Sequence, residues 1–518
     1  MDTTVFEINT RVFQFWTAAS LIGLCLSLWF WGKDDSKSAF PLVGADENDS
    51  TNYGKAAQNF ARDSYSILSK AMKKYQGPFR VASATGVKIV LPTRYLEDIK
   101  SDDRFSFAHE MAKQSLSHLP GFEAFATPLH NNIFQDTIKI KITQSLGAIT
   151  ESLAEETSLS LHQLIGDKAE WHELQVSKTV LDLTTRLSTR VFLGAHFSRD
   201  EKWLNLALAY TMTAFQASQT LLKWPVLLQR AANMFLPICV GQRAMLGSIR
   251  AMIEPEIAKR RKHLQGNHTE KQKGTDTLDW MDEIAQGRPF DLVLGQLQLN
   301  FVAIHTTSTL MTDVLLDLCT FPEYVPKLRE EVIEVLKENG WKKTAMYKLK
   351  RMDSFIKEVL RLRPQSMITA RRMTTDDVIF SDGVQIPRGS SIMVPTIVAG
   401  VDPKVYPNPD RFDGERFFRM RTAEKDDPKA QLVTVSAEYL GFGYGKHACP
   451  GRFLAAHEIK VALCHLLLKY EIKFLDGQEG KRPASLAWET AYMTDPSLKI
   501  MIRRRKEELD LDNLHVSA

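Results

Sequence analysis

The sequence is poor in cysteine and nearly balanced in charge, and both facts exclude whole classes of protein. Its 518 residues include five cysteines, at positions 25, 239, 319, 449 and 464, and no two of them form a Cys-x-x-Cys pair. An odd, scattered set of this kind supports neither a disulfide framework nor a zinc ribbon. The net charge is only +4, so the chain lacks the strongly basic character expected of a nucleic-acid-binding protein.

Low-complexity tracts and internal repeats are also missing, and most of the chain is predicted to form one large domain. Helical patterns predominate, with three short runs that have the character of strands: Phe79–Ala82, Lys88–Leu91 and Ser391–Val394. The predicted fold class is therefore mainly α with a small β portion (α+β), over residues 52–518. The polar stretch 265–276 is expected to be a surface loop between two helices.

One long uncharged run lies near the N-terminus. Val12–Trp31 contains twenty residues without a charge, and tryptophans lie near both of its ends. At the rise of an α-helix this run spans about 30 Å, the thickness of the hydrocarbon core of a bilayer. We expect residues 1–33 to be a retained membrane anchor with a transmembrane helix over about 12–31, followed by a polar linker over 34–51. Charges near the two ends nearly balance, so they do not indicate an orientation.

A second apolar helix is predicted inside the domain. Asp291 is a suitable N-cap, and the run Leu292–Cys319 contains no proline and has apolar residues on nearly every side. A helix of this kind should be buried and cross the centre of the domain. Its middle carries the polar run His-Thr-Thr-Ser over residues 305–308. Either these hydroxyls are satisfied by carbonyls of their own helix or the cluster has a function.

The stretch Phe442–Phe453 carries the strongest chemical signal. It reads FGYGKHACPGRF, and its three glycines are expected to allow backbone conformations that are closed to other residues: Gly443, Gly445 and Gly451. Cys449 lies immediately before a proline, and a largely apolar helix is predicted over Phe453–Leu468. Amides freed by the turn and the N-terminus of that helix would favour a thiolate, which donates electrons strongly to iron. The alternative is a buried structural cysteine in a glycine-rich turn.

This stretch resembles the segment Phe-Gly-x-Gly-x-(Arg/His)-x-Cys-x-Gly of the cytochrome P450 family, in its membrane-bound eukaryotic and, by His447, fungal form. Two further motifs of that family precede it in the expected order. Glu358 and Arg361 match Glu-x-x-Arg, whose spacing puts both side chains on one helical face. Gly414–Phe417 is similar to Pro-Glu-Arg-Phe, and its Arg416 would join the pair in a structural network. The resemblance covers essentially the whole chain and implies the cytochrome P450 fold.

The resemblance implies haem b as the cofactor. Cys449 would be the axial ligand of the haem iron, and three further residues would bind the cofactor: Phe442, His447 and Arg372. A guanidinium such as that of Arg372 can pair with a haem propionate, and the neighbouring Arg371 is a second candidate. The family's Trp-x-x-x-Arg helix is not evident, because no tryptophan occurs between residues 31 and 171. Lys139 is a candidate replacement for its arginine.

The resemblance also assigns roles in the apolar helix. Residues 302–307 align with the family pattern (Ala/Gly)-Gly-x-(Asp/Glu)-Thr-Thr. Thr306 takes the place of the threonine associated with proton delivery, work that suits a hydroxyl because it both donates and accepts. His305 replaces the usual acid. It would either shuttle protons near neutral pH as a second catalytic residue or merely bond a backbone group.

The function implied is that of a haem-dependent monooxygenase. It would take dioxygen and electrons from NADPH through a reductase, with cytochrome b5 as a further potential partner, and would oxidise a lipophilic small molecule. Terpenoid, meroterpenoid and indole-terpenoid intermediates of fungal secondary metabolism are the expected substrates. The pocket is expected to be lined by Phe301, Ala303, Met367, Ile368 and Tyr492. The catalytic domain would face the cytosol at the endoplasmic reticulum membrane, and nucleic acid is not an expected partner.

Two other functions remain open at this point. One is a haem-thiolate isomerase or dehydratase that needs no external electrons, against which the hydroxyl of Thr306 argues mildly. The other is a non-enzymatic haem-binding sensor or carrier, which would need neither a dioxygen-activating helix nor a pocket of substrate size. Dependence on NADPH distinguishes the first from a monooxygenase, and failure to bind any lipophilic ligand would favour the second.

Overall fold

The computed structural model describes residues 40–45, 53–266, 275–423, 427–478 and 480–514. The predicted transmembrane helix over 12–31 lies outside these residues. Within the described ranges, no helix is long and apolar enough to cross a membrane. Most of the loop predicted over 265–276 also lies outside them. Of the predicted linker, residues 40–45 are described, and they contain a two-residue strand, Leu42–Val43.

Helices dominate the described part of the chain, as the sequence predicts. The α-helices are, in chain order, α1 Tyr53–Lys74, α2 Leu96–Ile99, α3 Phe107–Gln114, α4 Thr127–His130, α5 Ile133–Asp136, α6 Thr143–Leu164, α7 Val176–Leu193, α8 Ala195–Ser198, α9 Glu201–Leu221, α10 Val226–Phe235, α11 Pro237–Gly266, α12 Thr277–Ala285, α13 Leu292–Thr320, α14 Tyr324–Asn339, α15 Lys343–Lys348, α16 Lys350–Leu362, α17 Thr396–Ala399, α18 Arg416–Ala423 and α19 Arg452–Lys469. A π-helical segment, Thr137–Ile142, leads into α6.

The strands of the described residues are short and form four small sheets. They are β1 Leu42–Val43, β2 Phe79–Ser83, β3 Gly86–Val90, β4 Phe105–Ser106, β5 His172–Gln175, β6 Ile368–Thr374, β7 Val378–Ile379, β8 Gln385–Ile386, β9 Ser391–Pro395, β10 Tyr470–Lys473, β11 Leu486–Trp488, β12 Ala491–Met493 and β13 Lys499–Arg504. The largest sheet has the order β1-β2-β3-β9-β6-β4, in which β1 pairs with β2 and β3 with β9 in parallel. The three strands predicted from the sequence are β2, β3 and β9.

The central helix forms where the sequence predicts it. The Asp291 carboxylate accepts the N–H groups of Val293 and Leu294 at 3.0 and 3.1 Å, which satisfies two donors of the first turn of α13. The helix packs against α7, α9, α12, α16 and α19, and because it is apolar on most sides it is buried along most of its length. It therefore crosses the largest core cluster of the molecule.

The hairpin β11–β12 is fixed to the central helix through buried charges. Arg482 Nη1 lies 3.1 Å from the Asp317 carboxylate, and the Thr494 hydroxyl donates to Asp313 Oδ1 at 2.7 Å. Both aspartates belong to α13, while Arg482 and Thr494 flank the hairpin on either side. These bonds bring Ala491 and Tyr492 to the side of the central helix.

Candidate active site

The loop that contains Cys449 is closed by its own backbone. The N–H of Cys449 donates to the carbonyl oxygen of Phe442 at 2.8 Å. Gly443 and Gly445 have φ values of +73° and +71°, and a Cβ on Gly445 would collide with the backbone of Lys100. These two positions therefore require glycine. Gly451 has an ordinary φ of −85°, so the expectation of an unusual conformation is wrong for this third glycine.

The thiol of Cys449 lies at the start of α19. Burial raises its pKa above the ordinary value, while the N–H of Gly451, the charge of Arg452 and the N–H of Arg452 act in the opposite direction. Arg452 is held in place because its guanidinium donates to the carbonyl oxygens of Val433 and Cys449 at 2.9 and 2.8 Å. Two backbone donors and one fixed cation therefore face the sulfur, an arrangement that favours a thiolate bound to a metal.

The middle of α13 has one open face. Val302 is 38% exposed although it lies in the interior of the domain, and Thr306, one turn later on the same face, is also exposed. The Thr306 hydroxyl donates to the carbonyl oxygen of Val302 at 2.8 Å. The carbonyl oxygen of Thr306 in turn accepts a hydrogen bond from the side-chain amide of Gln365. No sequence pattern around Gln365 indicates this contact with Thr306, which lies 59 positions earlier in the chain.

His305 does not share that open face. Its Nε2 lies 2.8 Å from the Thr211 hydroxyl of α9, and burial lowers the pKa of its imidazole. The sequence left two roles open for this residue, a bond to a backbone group and a proton shuttle. The structure instead shows a side-chain bond to a neighbouring helix.

A second group of polar side chains lies beside the Cys449 loop and has no anionic partner among the described residues. Arg372 is buried, donates from Nη1 to the carbonyl oxygen of Arg371 at 2.6 Å, and has no hydrogen-bond partner for Nε among the described residues. Burial lowers its pKa to about 10, with no carboxylate in the described part of the chain opposing the effect. The rings of Phe107 and His447 are 6.3 Å apart, and the Arg372 guanidinium lies 5.5 Å from the centre of the Phe107 ring.

The imidazole of His447 belongs to the same group. Burial, together with the charges of Arg372, Lys446 and Lys139, lowers its pKa to about 4. Its Nε2 is buried and makes no hydrogen bond within the described residues. The structure therefore brings Arg372, His447 and Lys139, the candidate replacement for the family's arginine, into one region that would accept an anion.

Arg371 points elsewhere. Its Nη2 donates to the hydroxyls of Ser366 and Thr490 at 3.0 and 3.2 Å. The pairing of β6 with β9 is irregular between Thr369 and Arg372, and Ala370 within this bulge has a φ of +49°. A bulge reorients the side chains that follow it, which explains why two adjacent arginines serve different regions.

The predicted structural network assembles below the Cys449 loop. Arg361 donates from Nε and Nη2 to the two carboxylate oxygens of Glu358, both at 2.8 Å, and Arg416 Nε lies 3.2 Å from each of them. The two arginines also donate to the carbonyl oxygens of Pro409 and Pro407, both at 2.8 Å. One buried carboxylate thus connects α16 to the irregular chain that follows α17.

The residues expected to line the pocket fall into two groups. Phe301, Ala303 and Tyr492 are half-buried, and the Phe301 ring packs edge-on against Phe125 at 4.6 Å. Met367 and Ile368 are buried in the separate core cluster between α1 and the largest sheet. Tyr492 packs against the same cluster, and the expectation that Met367 and Ile368 line the pocket stays a prediction.

The segment 365–369 still belongs to the site through its other residues. The N–H of Met367 donates to the carbonyl oxygen of Thr490 at 2.8 Å, and the N–H of Tyr492 donates to that of Gln365 at 3.2 Å. Gln365 reaches α13, while the half-buried Thr369 lies beside Gly443, its hydroxyl oxygen 3.7 Å from where a Cβ on that glycine would stand. The segment therefore links the open face of α13 to the Cys449 loop.

Comparison with known proteins identifies the same family as the sequence motifs do, over nearly the whole length of the chain. The profile of the family described as Cytochrome P450 matches residues 61–500. The chain is 39% identical to cytochrome P450 monooxygenase trt6 of Aspergillus terreus over 88% of this chain and 92% of that one. It is 37% identical to cytochrome P450 monooxygenase adrA of Penicillium rubens over 95% and 97%. A solved structure, the retinoic-acid-bound cyanobacterial CYP120A1, matches the fold with a TM-score of 0.63 at 17% identity, over 87% of this chain and 96% of that one.

These relatives are monooxygenases by name. The comparisons therefore support a monooxygenase over the isomerase or dehydratase and over the haem-binding sensor or carrier that the sequence left open. Family membership also brings the haem cofactor and its electron supply. The chain belongs to the cytochrome P450 family and is a monooxygenase that uses haem b and receives electrons from NADPH through a reductase.

Proposed function

We propose that this monooxygenase oxidises a lipophilic small molecule held against the open face of α13, with Cys449 as the axial thiolate ligand of the haem iron. The observation that carries this proposal is the exposure of Val302 and Thr306 in the middle of an otherwise buried helix. The segment 365–369 joins that face to the Cys449 loop. A flat cofactor held by the loop would therefore have Thr306 on its substrate side.

The side chains around the loop fit haem b. A haem carries two propionates, and the site offers the buried Arg372 and the half-buried His447, each with a buried ring or guanidinium nitrogen that has no partner in the described part of the chain. A buried cation without an anion is costly, and a bidentate carboxylate partner would offset that cost. We assign Arg372 and His447 to the propionates and Phe442 to contact with the cofactor beside Cys449.

Haem b, when bound, supplies the oxidation chemistry, in which one atom of dioxygen enters the substrate and the other is reduced to water. The chain itself supplies positioning and protons. The Thr306 hydroxyl donates its own hydrogen to the carbonyl oxygen of Val302, which leaves the lone pairs of Oγ1 free to accept a proton donor such as water. We propose that Thr306 relays protons: Oγ1 accepts a proton from water while the hydroxyl hydrogen leaves the Val302 carbonyl oxygen and is donated toward the oxidation site.

The proposed substrate is a terpenoid, meroterpenoid or indole-terpenoid intermediate of fungal secondary metabolism. The half-buried Phe301, Ala303 and Tyr492 support a nonpolar ligand, since most of a pocket's contact area is apolar in such sites. Metabolite profiling of a deletion strain tests the proposal. We expect an apolar terpenoid-type compound to accumulate and to be oxidised when it is fed to microsomes that contain the enzyme, whereas accumulation of a polar compound would contradict the proposed class.

We further propose that residues 12–31 anchor the protein as a single-pass helix in the endoplasmic reticulum membrane, with the catalytic domain in the cytosol. The support is the length and apolarity of the run in the sequence. This location would give access to a membrane-bound reductase, and cytochrome b5 is the second electron donor that we propose.

Replacement of Cys449 by serine tests the haem assignment. We expect the reduced carbon-monoxide complex of Cys449→Ser to lose its thiolate spectrum, because no other cysteine of the described chain lies in this loop. Cys464→Ser is the matched control, since Cys464 is buried within α19 away from the loop. A variant that keeps haem and an unchanged thiolate spectrum would show that Cys449 is not the ligand.

A further inference from the structure

The hydrogen bond between His305 and Thr211 joins two helices that form different parts of the site. His305 lies in the middle of α13, and Thr211 is a buried residue in the middle of α9. Their side-chain atoms, Nε2 and Oγ1, are 2.8 Å apart. Among the residues that the structure describes, this is the one hydrogen bond between α9 and α13.

The direction of this bond follows from the second partner of Thr211. The Thr211 hydroxyl lies 2.9 Å from the carbonyl oxygen of Leu208, which can only accept. A hydroxyl has one proton, so the proton between Thr211 and His305 belongs to Nε2. The imidazole is therefore held as the Nε2–H tautomer, and its burial favours the neutral form.

This geometry separates His305 from the proposed proton relay. Adjacent residues on a helix do not face each other, and Thr306 lies on the open face with Val302. Thr306 bonds to the Val302 carbonyl oxygen at 2.8 Å, whereas the bond made by the His305 ring runs to α9. The structure contains no hydrogen bond from the His305 ring to Thr306 within the described residues.

The face that His305 shares is the one toward α9. Phe301 precedes it by one turn on that face, and its ring packs against the cluster that contains Phe125, Ala214 and Ala217. The two alanines belong to the C-terminal half of α9. Small side chains allow close helix packing but contribute few specific contacts, so the bond at Thr211 fixes how α9 sits against Phe301.

We propose that His305 is a positioning residue, which through Thr211 holds α9 against the pocket side of α13 and so sets the shape of the substrate pocket. The role deepens the proposed function and rests on it for the identity of the pocket. The contact itself does not depend on the haem assignment, so failure of the Cys449 experiment and failure of this one are distinguishable.

Four single variants of the haem-loaded full-length enzyme test the proposal, namely His305→Ala, His305→Gln, Thr211→Val and Thr211→Ser, together with the double variant that combines His305→Ala and Thr211→Val. The carbon-monoxide spectrum first establishes that each variant holds haem. Hydrogen–deuterium exchange of residues 201–221 then measures how firmly α9 is packed. A spectral titration with 4-phenylimidazole measures the affinity of the pocket for a ligand. The pH profile of NADPH consumption provides the readout for proton transfer.

Loss of one buried hydrogen bond should weaken 4-phenylimidazole binding by about 5- to 10-fold. We expect this loss, with faster exchange over residues 201–221, in His305→Ala and in Thr211→Val, and no further loss when the two are combined, because both remove the same bond. Thr211→Ser and His305→Gln should restore binding, since the serine hydroxyl and the glutamine amide can make the bond. The pH profile of His305→Gln should keep its wild-type shape, because no proton passes through this side chain.

A proton shuttle predicts the opposite pattern. Thr211→Val would then behave as the wild type in exchange and in binding, while His305→Gln would fail as fully as His305→Ala and would lose one limb of the pH profile. Either this pattern or wild-type behaviour of all four variants would overturn the proposal. Thr211→Val keeps the shape of the side chain, so the test does not depend on a variant that disrupts folding.

Discussion

At the scale of single residues, Thr306 illustrates how one hydroxyl admits two interpretations. It donates to a carbonyl oxygen of its own helix, as a purely structural threonine would. It is also exposed in the interior of the domain, which a structural hydroxyl does not require. In the relay role the hydroxyl hydrogen leaves that carbonyl oxygen and is donated elsewhere while Oγ1 accepts from water, so the same residue can serve in either role.

The variant Thr306→Ala separates these roles. If Thr306 relays protons, NADPH is still consumed while product formation falls by about 10²–10⁴-fold and hydrogen peroxide rises, because reducing equivalents leave before oxygen is inserted. Thr309→Ala is the matched control, since the Thr309 hydroxyl also donates to a carbonyl of its own helix, that of His305, at 2.8 Å. The ratio of product to NADPH consumed is the measurement. An unaltered ratio in Thr306→Ala, or an equal fall in both variants, would end the relay hypothesis.

Other residues show the limits of reading side chains from a pattern. Met367 and Ile368 are apolar and adjacent to the site in sequence, as pocket residues would be, and they are buried in the core cluster between α1 and the largest sheet. Gln365, two residues earlier, has no distinguishing pattern and yet reaches the central helix. The direction of a side chain depends on strand pairing and on the bulge in β6, neither of which sequence spacing specifies.

At the scale of elements, α16 is joined to the chain that precedes the Cys449 loop by a buried lysine. Lys357 Nζ donates to the carbonyl oxygens of Lys429 and Gln431, both at 2.7 Å. The same ammonium lies 4.0 Å from the centre of the Tyr439 ring. Glu358, the next residue of α16, belongs to the network with Arg361 and Arg416. Lys357 and Glu358, which are adjacent on α16, therefore hold two segments that precede the Cys449 loop. Lys357 holds the segment with Lys429 and Gln431, and Glu358 holds the segment with Arg416.

Burial lowers the pKa of Lys357 from its ordinary value to about 7, against the opposing charges of Asp353 and Asp427. The unfolded chain has the ordinary lysine pKa near 10.4, so between about pH 7 and 10.4 it binds more protons at this position than the folded chain. The contribution of Lys357 to stability is therefore fully present above that window and is lost as the pH falls toward 7.

We expect the stability of the wild type relative to Lys357→Met to increase from pH 7 to pH 9, by on the order of 1–2 kcal/mol. The temperature of half-loss of the carbon-monoxide spectrum, measured at several pH values, gives the difference. Lys337→Met on α14 is the control, because Lys337 is exposed. A difference between wild type and Lys357→Met that is constant over this range would show that the ammonium stays charged in the folded protein.

At the scale of the whole molecule, the chain combines one catalytic domain with an N-terminal apolar run. The domain begins its described structure at residue 40, where β1 pairs with β2 at the edge of the largest sheet. It also exposes apolar side chains on α10, with Val226, Leu227 and Phe235 about four-fifths exposed, at 79%, 82% and 79%. Such a surface would allow some adsorption to lipid even without an anchor.

Deletion of residues 1–31 tests the anchor. We expect the truncated protein to be released from microsomes by high salt or carbonate, because the twenty-residue uncharged span contributes most of the membrane affinity. Deletion of residues 1–11 alone, which leaves the span intact, is the matched control and should remain bound. Equal resistance of both truncations to extraction without detergent would show that another segment is the main anchor.

The family, the helix-dominated fold and the elements that carry the chemistry follow from the sequence alone. Asp291 and the unbroken apolar run specify α13, because capping and periodicity act through neighbouring residues. Glycines 443 and 445 specify the Cys449 loop for the same reason, since their backbone conformations are local requirements. The partners of Glu358 were also foreseeable, from the spacing of Arg361 and the position of Arg416 in known motifs.

The contacts of the central polar residues depend on tertiary packing. His305 bonds to Thr211, the carbonyl oxygen of the exposed Thr306 accepts from Gln365, and Arg372 has no anionic partner among the described residues. Each of these contacts joins residues from separate elements, and none follows from the periodicity of either element alone. They depend on how the helices pack and on where strand β6 bulges, since packing and pairing are settled by the sum of many distant contacts.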